Sequence, residues 1–268
     1  MPFLRKHLCT KYNIFNLSTR YYILSQWFPP KLTLYDTTEM KPVSHLDLKQ
    51  DEKPYDVCLI PGDKVAVTCR YSNTIVIVSV KNNHLQREHD IHIDCWPLCI
   101  TSHKEDLFVV TVNVITYQMS ISRVALTGDR HVVCDLPEGW KLYCFGPYSM
   151  TTSKESKPKI YVAYNNRRDV LEVSLDGSTL RYISMSHKEA DSGIMNSVSV
   201  GENILCLFTA GKRLKLADIN SKNTSVVMKQ IKGHWGYMYM NQASVCPVTK
   251  TLLIWDDAKL KIKMFKWK

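Results

Sequence analysis

The side chains best placed to do chemistry in this chain are cations that recur at intervals, with aromatic rings between them. Arg70, Arg167 with Arg168, Lys212 with Arg213, and Lys259 sit in short polar stretches separating alternating apolar runs. Trp96, Trp140, Tyr143 and Trp235 fall between those stretches, with Lys141, Lys188 and His234 beside them, and Asp169 and Asp257 are the nearest acids. Cations next to rings suit an anionic ligand. An acidic or phosphorylated peptide offers carboxylate or phosphate oxygens for charge-assisted hydrogen bonds. Single-stranded RNA offers phosphates for the cations and bases that stack on the rings. Total charge points the same way: 35 Lys+Arg against 25 Asp+Glu leaves +10, which favours acidic partners and says nothing of fold.

Other chemistries find less material. His89, His92, Cys95 and Cys99 lie together in HDIHIDCWPLC, but zinc needs four converging ligands. His89 and His92 are expected on opposite faces of an alternating strand, so a structural or surface role is the expectation and no metal is assigned. There is no G-x-S-x-G elbow, no H-E-x-x-H pair and no glycine-rich phosphate loop. No catalytic residue and no cofactor is therefore assigned, and the chain is expected not to be an enzyme.

The nine cysteines are an odd number without a C-x-x-C pair. A disulfide framework is normally even and closely spaced, so reduced, mostly buried thiols in a cytoplasmic chain are expected. The apolar runs are far shorter than the roughly 18 residues of a membrane helix. The opening MPFLRKHLCTKYNIFNLSTR lacks the continuous apolar stretch of a secretory signal. No membrane contact is expected, and the domain is expected to be monomeric.

The elements that must position the cations come from a repeat. A 17-residue pattern of alternating run, polar turn and second alternating run recurs at 21–37, 64–80, 159–175, 203–219 and 251–267, and in a version with a longer turn at 106–124. The starts 21, 64, 106, 159, 203 and 251 step by 43, 42, 53, 44 and 48. Second and fourth positions align as Tyr22/Leu24, Val65/Val67, Leu107/Val109, Ile160/Val162, Ile204/Cys206 and Leu252/Ile254. Late positions align as Leu32/Leu34, Ile75/Ile77, Met119/Ile121, Leu214/Leu216 and Ile262/Met264, with Val170/Glu172 as the imperfect copy. Period-two alternation is expected to bury one face of each strand. Turn pairs such as Ser72-Asn73 tolerate the positive φ of hairpins.

Short apolar stretches precede all six hairpins and a further strand candidate follows five of them, giving four strands per unit of about 45 residues, which is propeller arithmetic. The expected fold is one all-β, six-bladed β-propeller of four-stranded antiparallel blades over residues 1–268. The sixth unit stops after its third strand. Phe3–Cys9, within residues 1–11, is expected to supply the missing strand by pairing with Lys261–Trp267, closing the ring and removing a bare edge.

Pro54-Tyr55-Asp56-Val57, Gly62-Asp63-Lys64-Val65-Ala66-Val67 and Ser72-Asn73-Thr74-Ile75 resemble units of NHL-type six-bladed propellers, and Lys159–Asn166 repeats the theme. The likeness is to the C-terminal propellers of tripartite-motif-like proteins. It implies a module that recognises protein or RNA, without the RING finger, B-boxes and coiled coil that would carry ligase activity. Some six-bladed propellers resemble calcium-dependent lactonases and paraoxonases. Calcium wants six to eight oxygen ligands, and the inner strands offer Asp56, Asn196 and Asn241, so a calcium-dependent hydrolase is a remote alternative. The reading is a non-enzymatic module that holds a protein or an acidic or phosphorylated peptide on a basic, aromatic-rich face, with single-stranded RNA as the alternative.

Overall fold

The computed structural model describes residues 12–18, 20–137, 147–164, 169–184, 194–200, 203–210, 213–218, 231–232, 243–246, 251–256 and 261–266. Sheet one holds β1 (Tyr12–Asn16), β2 (Tyr21–Trp27), β3 (Pro30–Asp36) and β4 (Lys41–Asp47); sheet two holds β5 (Pro54–Ile60), β6 (Lys64–Cys69), β7 (Thr74–Lys81) and β8 (His84–His92). Sheet three holds β9 (Trp96–His103), β10 (Asp106–Val112), β11 (Met119–Val124) and β12 (Arg130–Asp135). Sheet four holds β13 (Pro147–Thr152), β14 (Lys159–Tyr164), β15 (Asp169–Ser174) and β16 (Leu180–Ser184). Sheet five holds β17 (Ile194–Val200), β18 (Asn203–Ala210), β19 (Arg213–Asp218) and β20 (Ile231–Lys232); sheet six holds β21 (Ala243–Cys246), β22 (Thr251–Asp256) and β23 (Lys261–Lys266). Every pairing is antiparallel between chain neighbours, and the one helical segment among the described residues is a 3-10 turn at Arg70–Ser72.

The hairpins fall where the repeat puts them, because alternation and turn residues are local signals. Val67 opposes Val76 across the second hairpin, and Asn73 takes the left-handed φ of 53° that ends its turn. Asn82 and Asn83, at φ 50° and 64°, make the two-residue link to β8, the primed-turn geometry whose twist suits a hairpin.

The expectation of one buried face per strand is corrected. Val76, Ile77 and Val78 are all buried, and so are Val65, Ala66 and Val67. The sheets stack face to face, so an inner strand has a neighbour on each side. Ile23, Leu32 and Leu34 of sheet one pack with Val65, Val67, Val76 and Val78 of sheet two. The opposite face of sheet two, Ala66, Ile75 and Ile77, packs with Ile100, Leu107 and Val109 of sheet three. Phe108, Val110, Met119 and Ile121 of sheet three then meet Ile160, Val162, Leu171 and Val173 of sheet four. The two aligned sets of the repeat thus lie on opposite faces: second and fourth positions meet the preceding sheet, late positions the following one. Tyr22 and Leu24 follow this rule by packing with Leu253 of sheet six.

That rule also explains the imperfect copy. Leu171 opposes Val162 and Val173 opposes Ile160, so these take the core side, and Glu172 opposes Tyr161 on the other face. Glu172 is only 2% exposed. Its carboxylate accepts from the Tyr161 hydroxyl at 2.9 Å and from Arg181 Nε and Nη2 at 2.5 and 2.9 Å, with Lys159 Nζ 3.3 Å away. A buried carboxylate is tolerated when paired and hydrogen-bonded in this way.

First strands of consecutive sheets touch, β1 with β5, β5 with β9, β9 with β13, β13 with β17 and β17 with β21, and β21 touches β1. Asp56 reinforces one of these contacts: its Oδ2 accepts from the Ile100 amide at 3.0 Å, while Thr68 Oγ1 donates to the Leu98 carbonyl at 2.6 Å. Outward from the first strands, burial falls to the largely exposed β4 and β12. Phe3–Cys9, proposed as the closing strand, lies outside the described residues.

Candidate functional site

Antiparallel order brings five connections to one end of sheets one to three. They are the β2–β3 turn at Phe28-Pro29, the link before Pro54, the Arg70–Asn73 turn, the link before Trp96, and the β10–β11 turn at 113–118. Their side chains form a continuous ladder of rings and cations. Lys53 Nζ lies 4.5 Å from the Phe28 ring centroid and 5.2 Å from that of Tyr71. Arg70 Cζ lies 5.4 Å from the Tyr71 centroid and 4.8 Å from that of Trp96. Trp96 meets Tyr117 edge-on at 6.1 Å, and Trp27 meets Tyr71 edge-on at 6.2 Å. In order, the ladder reads Phe28, Lys53, Tyr71, Arg70, Trp96, Tyr117. Each cation lies within the roughly 6 Å at which a ring quadrupole attracts it.

Arg70 and Trp96, both expected on the basic face, are therefore neighbours. The Arg70 Nε is buried without a hydrogen-bond partner, so part of its donor capacity is unused. Arg213 opens β19 opposite Ala210, at the same end of its hairpin. Arg167, Arg168, Lys212, Lys259, Trp140, Tyr143 and Trp235 lie outside the described residues. Sequence reasoning missed Phe28, Lys53, Tyr71 and Tyr117. Tyr71 was within reach as the residue after Arg70; Lys53 was not, since nothing local separates it from other surface lysines.

Lys53 follows Glu52 in the chain, and Glu52 is 1% exposed. Arg87 grips both Glu52 oxygens at 2.8 and 2.7 Å, and the Lys49 amide and ammonium approach at 3.0 Å each. Burial alone would raise the Glu52 pKa; the hydrogen bonds from Arg87 and Lys49 more than offset this and hold it at about 2. Arg87 also bonds Asp90, so β8 and the 49–53 link are joined by one charged cluster.

The remaining candidates separate. Cys95 and Cys99 are buried in different core clusters, while His89 and His92 are both exposed. Among the described residues, no group of three or more His, Cys, Asp or Glu side chains is arranged to hold a metal. Burial raises the Cys58 and Cys69 thiols well above their ordinary range.

No family model matches this chain, and no curated protein matches it. Solved structures do share its fold, and they are propeller-like β-sheet proteins. A Bacteroides thetaiotaomicron protein of unknown function superposes with a TM-score of 0.72 at 13% identity, covering 97% of this chain and 70% of that one. A luciferin-regenerating enzyme gives a TM-score of 0.62 at 13% identity, over 96% of this chain and 91% of that one. A streptogramin B lyase gives 0.58 at 12% identity, over 96% and 83%. At such identities the likeness establishes the fold alone.

These neighbours correct one expectation. A chain without familiar catalytic motifs is expected not to be an enzyme, yet the same architecture houses enzymes. The physical reason is that chemistry on a shared fold resides in side chains grafted onto its loops, which short linear motifs from other folds do not detect. Among the described residues, no helix is long and apolar enough to cross a membrane.

Proposed function

We propose that the chain is a single six-bladed propeller domain of NHL type, spanning residues 1–268 and closed between its last and first sheets, that recognises an acidic or phosphorylated peptide segment of a partner protein on the rim around Arg70. The contact of β21 with β1 and the packing of Leu253 against Tyr22 support closure. By the repeat, Arg167, Arg168, Lys212, Arg213 and Lys259, with Trp140, Tyr143 and Trp235, belong to the same rim. A cytoplasmic setting accords with Cys58, Cys69, Cys95, Cys99 and Cys134, which are free thiols.

The observation that carries the reading is the use of the ring faces. Lys53 lies over Phe28 and Tyr71, and Arg70 over Tyr71 and Trp96. Those faces are engaged by cations rather than open to nucleobases, and the same guanidinium and ammonium groups carry the kind of donors that a carboxylate or phosphate accepts from. The test is titration of the protein with glutamate-rich peptides, phosphopeptides and mixed single-stranded RNA over a range of salt. Acidic peptides should bind, with affinity that falls as salt rises, and Arg70→Ala with Lys53→Ala should weaken them. Preferential binding of RNA, or no anionic ligand at all, would replace this reading.

A further inference from the structure

The acidic-peptide reading leaves one feature of the rim unused. Of the ten large hydrophobic side chains exposed among the described residues, four lie here: Tyr71 at 50%, Val114 at 37%, Ile115 at 83% and Tyr117 at 50%. Ile115 stands at the tip of the 113–118 turn, and that turn is built to be stiff. Asn113 Oδ1 accepts from the Ile115 and Thr116 amides at 2.9 and 3.0 Å, and the Tyr117 amide donates to the Asn113 carbonyl at 2.9 Å. Gln118 Nε2 donates to the Leu136 carbonyl at 2.9 Å, anchoring the base of the turn to the end of sheet three. An apolar side chain presented on a preordered turn loses little conformational freedom when something covers it.

The tip is continuous with the cations. Tyr117 leans edge-on against Trp96, whose face carries Arg70. We infer that the bound segment is bipartite: an acidic side chain meets Arg70 and Lys53, and a large apolar side chain near it in the same peptide settles on Val114, Ile115 and Tyr117. This rests on the acidic-peptide reading and gives it a sequence requirement. Charge complementarity fixes the acidic half. The clamping of both cations favours a peptide over an anionic bilayer. Lys53 and Arg70 are partly buried and held against rings, so they reach a chain that enters the rim, whereas a lipid surface is met by long, free basic side chains.

The experiment compares two glutamate-rich peptides, one containing leucine and one with serine in its place, at several spacings from the acidic residues. Each is titrated against the full chain and its Ile115→Ser and Arg70→Ala forms. The leucine peptide should bind the unaltered chain about tenfold more tightly, the order that covering one aliphatic side chain supplies. Ile115→Ser should abolish that advantage and leave the serine peptide unchanged; Arg70→Ala should weaken both peptides alike. If acidic peptides bind but leucine confers nothing, or its advantage survives Ile115→Ser, the bipartite inference fails and the acidic-peptide reading stands. If no acidic peptide binds, that reading fails first. Ile115-dependent binding to phosphatidylserine-containing vesicles, without any preference between the peptides, assigns the tip to a bilayer and overturns the inference.

Discussion

Arg70 lays its guanidinium over the indole of Trp96, with Cζ 4.8 Å from the ring centroid. The two residues are 26 apart in the chain, one in a hairpin turn of sheet two and the other at the entry to sheet three. Packing of neighbouring sheets makes them a pair, and Tyr71 on the other side places Arg70 between two rings of the ladder.

Arg70→Ala should therefore act on binding more than on folding. A partly exposed cation–ring contact contributes about 0.5–1 kcal/mol, so the melting midpoint should move by only a few degrees. Affinity for acidic peptides at low salt should drop severalfold, and its salt dependence should flatten. Arg70→Lys should fall between the two, because it keeps the charge and loses the planar contact. Calorimetric titration at two salt concentrations checks this, and equal affinities for all three forms would remove Arg70 from the site.

Burial on both faces gives the core a distinct mutational signature. Val76→Ala, Ile77→Ala and Val78→Ala should all destabilise, by roughly 2–5 kcal/mol at Ile77 and about 1–3 at each valine. Urea denaturation reads this directly. An alternating pattern, with Ile77 costly and the valines neutral, would mean that one face of sheet two is open to water.

Two glycines separate backbone strain from steric contact. Gly62 has φ +81° with nothing within 4 Å of where a Cβ would sit, whereas Gly177 has φ +76° and a Cβ there would lie 2.3 Å from the Val133 carbonyl oxygen. Gly62→Ala should cost about 1–2 kcal/mol, the left-handed penalty. Gly177→Ala should cost that plus about 1–3 kcal/mol for overpacking, because the backbone of sheet three must yield. Equal costs in thermal melts would show that the two sheets can slide apart at no expense.

Glu172 and Glu52, the two buried carboxylates of these ion-pair clusters, should contribute to the acid sensitivity. Burial tends to raise the Glu172 pKa, but Arg181, Tyr161 and Lys159 bring it below the ordinary carboxylate value, and Glu52 is held at about 2. A depressed folded pKa contributes stability that is present above the unfolded value of about 4.3 and is lost as pH falls through the folded value. Stability should thus decline from near pH 5 downward. Glu172→Gln should lower stability at pH 7 by about 1–3 kcal/mol, discounted for the exposure of Arg181, and flatten the decline. Chemical denaturation between pH 7 and 3 distinguishes this from an unchanged slope, which would exclude Glu172 as a source.

Glu52→Gln adds a functional readout to the same chemistry. It loosens Arg87 and Lys49 from the 49–53 link, so acidic-peptide affinity should fall about two- to fivefold as Lys53 loses its fixed position. Arg70→Ala on top of it should still weaken binding further. Unaltered affinity in a folded Glu52→Gln protein would show that Lys53 is held by its rings alone.

What the sequence by itself determined was local. Alternation in runs such as Lys64–Cys69 and Thr74–Lys81, broken by Ser72-Asn73, specifies a hairpin because side-chain period and turn preference act over a few residues. The recurrence of that hairpin six times carries the architecture. That Arg70 falls in a turn and Trp96 at the link into a sheet was legible, because the repeat places them between alternating runs. Tertiary structure alone decided which face of each strand meets which sheet. Both faces of an inner strand are apolar, and no local pattern distinguishes the neighbour before from the neighbour after. It also decided that Glu172 is satisfied, through Tyr161 and Arg181 on the strands to either side. The ladder from Phe28 through Lys53, Tyr71, Arg70 and Trp96 to Tyr117 was likewise beyond the sequence. Its rungs come from three sheets, and their spacing follows from how closely those sheets pack.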